Sequence, residues 1–240
     1  MMRVFYVFIA VLLTFLGEVK SQESQSFKTL LKFDFVSRHL WRGMRNNTTP
    51  AVQPTIRFDG KMFFGGFWAS YSLGSENVQE IDIYTGLRYR NVDFSIIDYY
   101  NPIDTVGWKG DFFELRNSKT RHTLDAIITL NQTAHFPLNL TLATMFYGFD
   151  KDSTGKKNLY STYLEAEYTF FSNDDTCISF HIGGTPYKSY YASKAAITNT
   201  GLTITRNIHF NSSLTIPVKG SFIINPYTHQ VFLLAAFTIQ

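Results

Sequence analysis

The chain has 240 residues, and its net charge of +3 at pH 7 is too weak a basic balance to argue for nucleic acid as a partner. Its single cysteine, Cys177, excludes an intrachain disulfide; in the strand-like run TCISFHIG it reads as a small apolar side chain. Mean hydropathy is −0.08, and no long apolar run follows Leu16, which excludes helical membrane spans beyond that point.

The amino terminus comes first. Arg3 precedes the apolar run Val4 to Leu16. That run has the length of a signal-peptide core and falls short of the ~20 apolar residues that a spanning helix needs. Val19 and Ser21 are small enough for the −3 and −1 sites, so cleavage is expected after Ser21. No cysteine follows that would carry a lipid anchor. The expected organisation is a signal peptide, 1–21, and one exported domain, 22–240.

After Ser26 the hydrophobic period is two. Leu31, Phe33, Phe35 and Trp41 share one face, and Lys32, Asp34, Arg38 and Arg42 the other. The same alternation recurs along the chain and predicts twelve strands. They lie near 27–41, 51–58, 61–72, 79–89, 92–100, 120–131, 138–148, 159–171, 176–185, 196–208, 214–224 and 230–240. In Lys61 to Ser72 both faces carry aromatics, so the sequence leaves that register open. Asp111 to Asn117 is a further candidate strand, which leaves the count open between twelve and fourteen. Short turns such as Asp59-Gly60 and Arg90-Asn91 alternate with long links such as Asn101 to Lys119 and Phe149 to Asn158. With an even strand number, both termini fall beside the short turns.

This grammar predicts an all-β fold, a transmembrane antiparallel up-and-down β-barrel of about twelve strands. The alternative is a secreted soluble ligand-binding barrel or sandwich, whose apolar face looks inward. Aromatics gathered at strand ends favour the membrane form, as interfacial girdles. Trp41, Tyr71, Tyr89, Tyr99, Tyr147, Tyr160 and Phe170 are the expected members. The expected lumen lining is Lys32, Asp34, Arg38, Arg42, Arg57, Glu80, Asp82, Arg88, Asp93, Arg121, Asp125, Glu165, Glu167 and Lys219. Without Arg42, which parity aims into the lumen mouth, these are six basic and seven acidic side chains. Such a balance predicts cross-lumen ion pairs rather than a single-sign selectivity ring. A twelve-stranded lumen is also narrower than that of 16–18-stranded porins.

The order S-R-H-L-W-R-G, P-A-V-Q-P, G-G-F-W-A-S and E-I-D-I-Y-T-G resembles TorF-like porins and related outer-membrane barrels of Gram-negative bacteria. Ser37, Arg42, Gly43, Pro50, Gln53, Trp68, Ser70, Glu80, Asp82, Tyr84 and Gly86 carry the resemblance, which covers about the first third of the chain. It implies a cell outer-membrane location and the barrel fold. The chain departs in ending FTIQ, with Phe237 three residues in, where many outer-membrane barrels end on an aromatic.

The expected function is a narrow channel for small solutes. The alternative is a closed structural or interaction barrel that binds partners or lipopolysaccharide through its loops. Expected partners are outer-membrane lipid, lipopolysaccharide phosphates (through Arg45) and the barrel assembly machinery. Neither cofactor, metal nor catalysis is expected. Nucleophile-elbow and zinc-protease motifs are missing, and His122, His135, His181 and His209 are scattered over strands and turns. His39, His122 and Ser37 form the one set that a lipid hydrolase at the outer leaflet would use.

Overall fold

The computed structural model describes residues 27–74, 78–102, 111–211 and 214–240. The expected signal peptide lies outside the described residues. Twelve strands close into one antiparallel barrel: β1 (Lys28–Val36), β4 (Ala51–Asp59), β5 (Phe63–Ser72), β6 (Gln79–Tyr89), β7 (Val92–Tyr100), β8 (His122–Leu130), β9 (Leu138–Gly148), β10 (Thr162–Ser172), β11 (Thr176–Thr185), β12 (Ala196–His209), β13 (Thr215–Asn225) and β14 (Gln230–Ile239). Each pairs with its chain neighbours, and β1 pairs with β14 to close the ring. At that seam Phe35 and Phe237 are cross-strand partners with stacked rings, 4.8 Å between centroids. A stacked pair adds roughly 0.5–1.5 kcal/mol beyond its burial. The barrel leaves no unpaired sheet edge.

Two expectations on strand extent are corrected. The first strand ends at Val36 rather than Trp41, and a two-residue hairpin, β2 (Leu40–Trp41) and β3 (Met44–Arg45), occupies the link that follows. Arg42 and Gly43 turn that hairpin, with φ of 50° and 78°. Positive φ at both central residues marks the tight hairpin turn that matches strand twist. Asp111–Asn117 forms turns and no strand.

Alternation sets the two faces of the wall. Each barrel strand shows the outside large apolar side chains, among them Phe33 on β1, Phe67 on β5, Ile96 on β7, Leu164 on β10, Phe180 on β11 and Phe222 on β14's neighbour β13. The polar residues of the same strands face inward, with Gln53, Ser70, Glu80, Asp82, Asp125, Ser179, His181 and Ser221 buried. Closure also fixes the register of β5. Phe64 is buried and its partner across the strand is Gly86; Phe63 and Phe67 are exposed. A Cβ on Gly86 would stand 2.3 Å from the Phe64 ring, so the glycine gives that ring its space.

Three strand pairs shift register, at Leu124/Asp125, Thr169/Phe171 and Gly183/Gly184. At the first, Asp125 pairs with Met145 and Leu124 with Tyr147, so Phe146 is passed over. Bulges re-aim the side chains beside them. Beyond this one, the Tyr147 hydroxyl reaches the carbonyl of Leu115 at 2.6 Å.

Candidate functional site

The link 37–50 turns into the barrel mouth. Ser37 stays tied to the seam, donating from its N–H to Ala235 O and accepting from the Ala235 N–H at its hydroxyl. From there the chain folds inward. His39 N–H donates to Asn47 Oδ1 at 2.6 Å, and Asn46 N–H donates to His39 O at 3.0 Å, which closes the loop on itself.

The loop spans the lumen from wall to wall. On one side Asn46 Nδ2 donates to Glu80 Oε2 of β6 at 3.3 Å. On the other, Thr198 of β12 and Asn225 of β13 donate to the carbonyls of Arg42 and Gly43, at 3.5 and 3.0 Å. In the ring of twelve strands β6 and β12 stand opposite each other. Gly43 lies so close to the β12 backbone that a Cβ there would be 1.9 Å from Thr198 O.

Arg42 is the centre of this contact. Its Nη2 lies 2.8 Å from Asp125 Oδ2, and its Nη1 donates to the Tyr191 hydroxyl. Its guanidinium carbon sits 4.7, 4.9 and 5.7 Å from the rings of Trp41, Tyr163 and Tyr191. Aromatic faces attract a cation most where water is excluded, and here the Arg42 side chain is 11% exposed and Asp125 fully buried. The Tyr99 hydroxyl lies 3.4 Å from the same Asp125 oxygen. The other oxygen, Oδ1, is buried without a hydrogen-bond partner, as is Asp82 Oδ1. Tyr191 comes from the second inward link, 186–195, and with Tyr163, Ala143 and Met145 it forms the buried apolar cluster against which Trp41 and Met44 pack.

His39 lies 3.6 Å from Glu80 and 5.3 Å, ring to ring, from Trp68. Burial pushes the His39 ring down to about 4, so at neutral pH it is uncharged and its contact with Glu80 is not an ion pair.

Among the described residues the other ion pairs of the wall run along it and not across it. Lys32 meets Asp34 on its own strand at 2.9 Å, and Thr238 donates to the same carboxylate. Arg57 pairs with Asp59 at 2.6 Å, and Arg88 joins Asp59 and Asp93 at 3.5 and 3.2 Å. Glu165 accepts from Tyr163 and Asn199, and Glu167 from Asn139 and Ser179. Arg38 has a buried, unpartnered Nε, and Lys219 is exposed on β13. The expected cross-lumen pairing is therefore corrected: the contact that crosses the mouth runs through the loop.

Three further placements differ from expectation. Trp41 is no rim anchor; it packs inside against Tyr99, Tyr190 and Tyr191 at 5.4, 6.3 and 5.6 Å. Tyr99 is buried rather than at the outer surface, and parity already placed it with Asp93 and Ser95. Arg121 precedes β8 and stacks 4.6 Å over Phe149, in the link 149–161. Tyr71, Tyr89, Tyr160 and Phe170 are exposed, the first and third near the long-link end and the others near the short-turn end.

The set Ser37, His39 and His122 is not brought together. Ser37 is held at the seam, His39 faces Glu80, and His122 joins Asp98 at 2.8 Å and Phe112 O at 2.7 Å. Sequence reasoning missed Tyr191, Asn46, Asn225 and Thr198. Each acts through a fold-back that alternation does not encode; Gly43, with φ of 78°, is the local mark of the turn that makes it. No protein family, curated protein or solved structure matches this chain.

Proposed function

We propose that this chain is an outer-membrane barrel that forms a narrow channel for small solutes, with the link 37–50 as a plug closing its mouth. The observation that carries the reading is the combination of an apolar outer wall on all twelve strands with a polar interior crossed by that loop. A soluble barrel would bury its apolar face, whereas here Leu31, Phe67, Phe94, Phe180, Phe222 and Leu233 are open to the surroundings. Contiguous apolar surface on that scale suits lipid. Exposed aromatics toward both ends of the wall fit the two interfaces, and the resemblance to TorF-like porins points the same way. The long links then face outside, where lipopolysaccharide phosphates meet Arg45. Insertion falls to the assembly machinery.

A second reading has its own support. The packing of Trp41, Met44 and Tyr191 fits a permanently closed barrel that presents its loops to partners. Fractionation and planar-bilayer recording separate these. The channel reading expects a detergent-extractable membrane protein that is mostly silent as wild type and conducts in small steps once Arg42 is replaced. Silence of both forms supports the closed barrel, and a protein soluble without detergent overturns the membrane assignment. In intact cells, protease is expected to reach a tag placed in 150–157 and not one in 173–175.

A further inference from the structure

The cage around Arg42 is built mostly from the wall. Asp125 comes from β8, Tyr99 from β7 and Tyr163 from β10; only Arg42 and Trp41 belong to the plug. Withdrawing the plug therefore leaves a carboxylate with tyrosines around it and without its ion-pair partner. Arg42 engages Asp125 through one oxygen alone, and Oδ1 has no partner. A planar cation with two parallel donors would satisfy both oxygens at once.

The charges nearby act in the same direction. Glu80, Asp82, Asp125 and Glu165 lie on inward faces toward the long-link half of the barrel, where Arg38 and Arg42 are carried by the link 37–50. When the link moves, both arginines move with it and the wall it leaves is acidic. Asp82 is 7% exposed and its Oδ1 lacks a partner. Among the described residues no group of three or more His, Cys, Asp or Glu is arranged to hold a metal ion. The aromatic faces suit an organic cation instead.

We propose that the Asp125–Tyr99–Tyr163–Tyr191 cage is a recognition site for solutes bearing a guanidinium group, and that Arg42 occupies it as an internal stand-in while the mouth is closed. The proposal deepens the channel reading by naming its solute class and rests on that reading for transport, but the binding site can be tested alone.

Purified Arg42→Ala protein in detergent is titrated with methylguanidine while Trp41 fluorescence and hydrogen exchange over 38–50 are followed. The expected result is a saturable response in the millimolar range with recovered protection of the loop. Urea, a neutral molecule of similar shape, is expected to give none, and Asp125→Asn in the same background is expected to abolish the response. Equal effects of methylguanidine and urea, or no saturable response, overturn the proposal. Should Arg42→Ala not fold, Arg42→Gln, which keeps the stem, takes its place. In phosphatidylcholine vesicles carrying Arg42→Gln, arginine is expected to enter several-fold faster than citrulline, its neutral analogue; equal entry rates count against the proposal. If neither solute enters, the channel reading fails, and the methylguanidine titration still decides the site.

Discussion

Replacing Arg42 by alanine is the sharpest perturbation of the plug. The change removes an ion pair at 2.8 Å to a fully buried Asp125, the bond to Tyr191, and the guanidinium stacked against Tyr163 and Tyr191. Removing one partner of a buried pair typically costs about 3–5 kcal/mol, because the remaining charge stays in place without compensation. Asp125 would keep only Tyr99, at 3.4 Å. Arg42 lies outside the twelve barrel strands, whose closure is made by their own pairing, so the cost is expected to fall on docking of the loop. At about 1.4 kcal/mol per decade, the docked-to-undocked ratio is expected to drop at least roughly 100-fold. Hydrogen exchange of residues 38–50, with β7 and β8 as internal reference, reads the change directly. A cycle with Asp125→Asn is the control, and the double variant is expected to lose less than the sum of the singles. If loop exchange in Arg42→Ala stays within about threefold of wild type, the plug is held by something else and the latch assigned to Arg42 is wrong.

Gly43→Val is expected to expel the loop as thoroughly, since φ is 78° and a Cβ would meet Thr198 O at 1.9 Å; gel mobility of the unheated barrel should stay unchanged. Acidification offers a titration of the same loop. His39 is held down at about 4, below its ordinary value near 6.5, so docking is favoured fully above 6.5 and that contribution is lost as the pH falls through 4. Fluorescence of Trp68, 5.3 Å from His39, is expected to be quenched with a midpoint near pH 4 and to lose that transition in His39→Phe; a midpoint near 6.5 would place His39 in water. Ile96→Arg, on the outer face in mid-strand, is expected to cost about 2–4 kcal/mol for folding into lipid vesicles, and a cost near zero would argue against a lipid-facing wall.

Alternation and turn residues, which are local, determined most of the barrel. Period two fixes which side chains share a face, and Asp59-Gly60 or Arg90-Asn91 mark where the chain reverses, so the positions of the twelve barrel strands follow from neighbours in sequence, save the far end of β1. The inward placement of Glu80, Asp82 and Asp125 follows for the same reason. Local pattern failed where two answers shared one pattern. In β5, aromatics stand on both faces, and only pairing with Gly86 and packing against His39 chose Phe64 and Trp68 for the inside. At the end of β1 the alternation runs on through His39 and Trp41, so sequence extended the strand, whereas in the folded chain the hairpin turns in to Asp125 and Thr198, which lie 83 and 156 residues away from Arg42. Contacts of that separation exist only once the ring has closed and set β6 opposite β12. The composition supplied the charges, and tertiary structure decided which of them meet: wall pairs within a strand or between nearby strands, and one arginine carried across the mouth, because a guanidinium taken out of water needs a carboxylate to compensate its lost hydration.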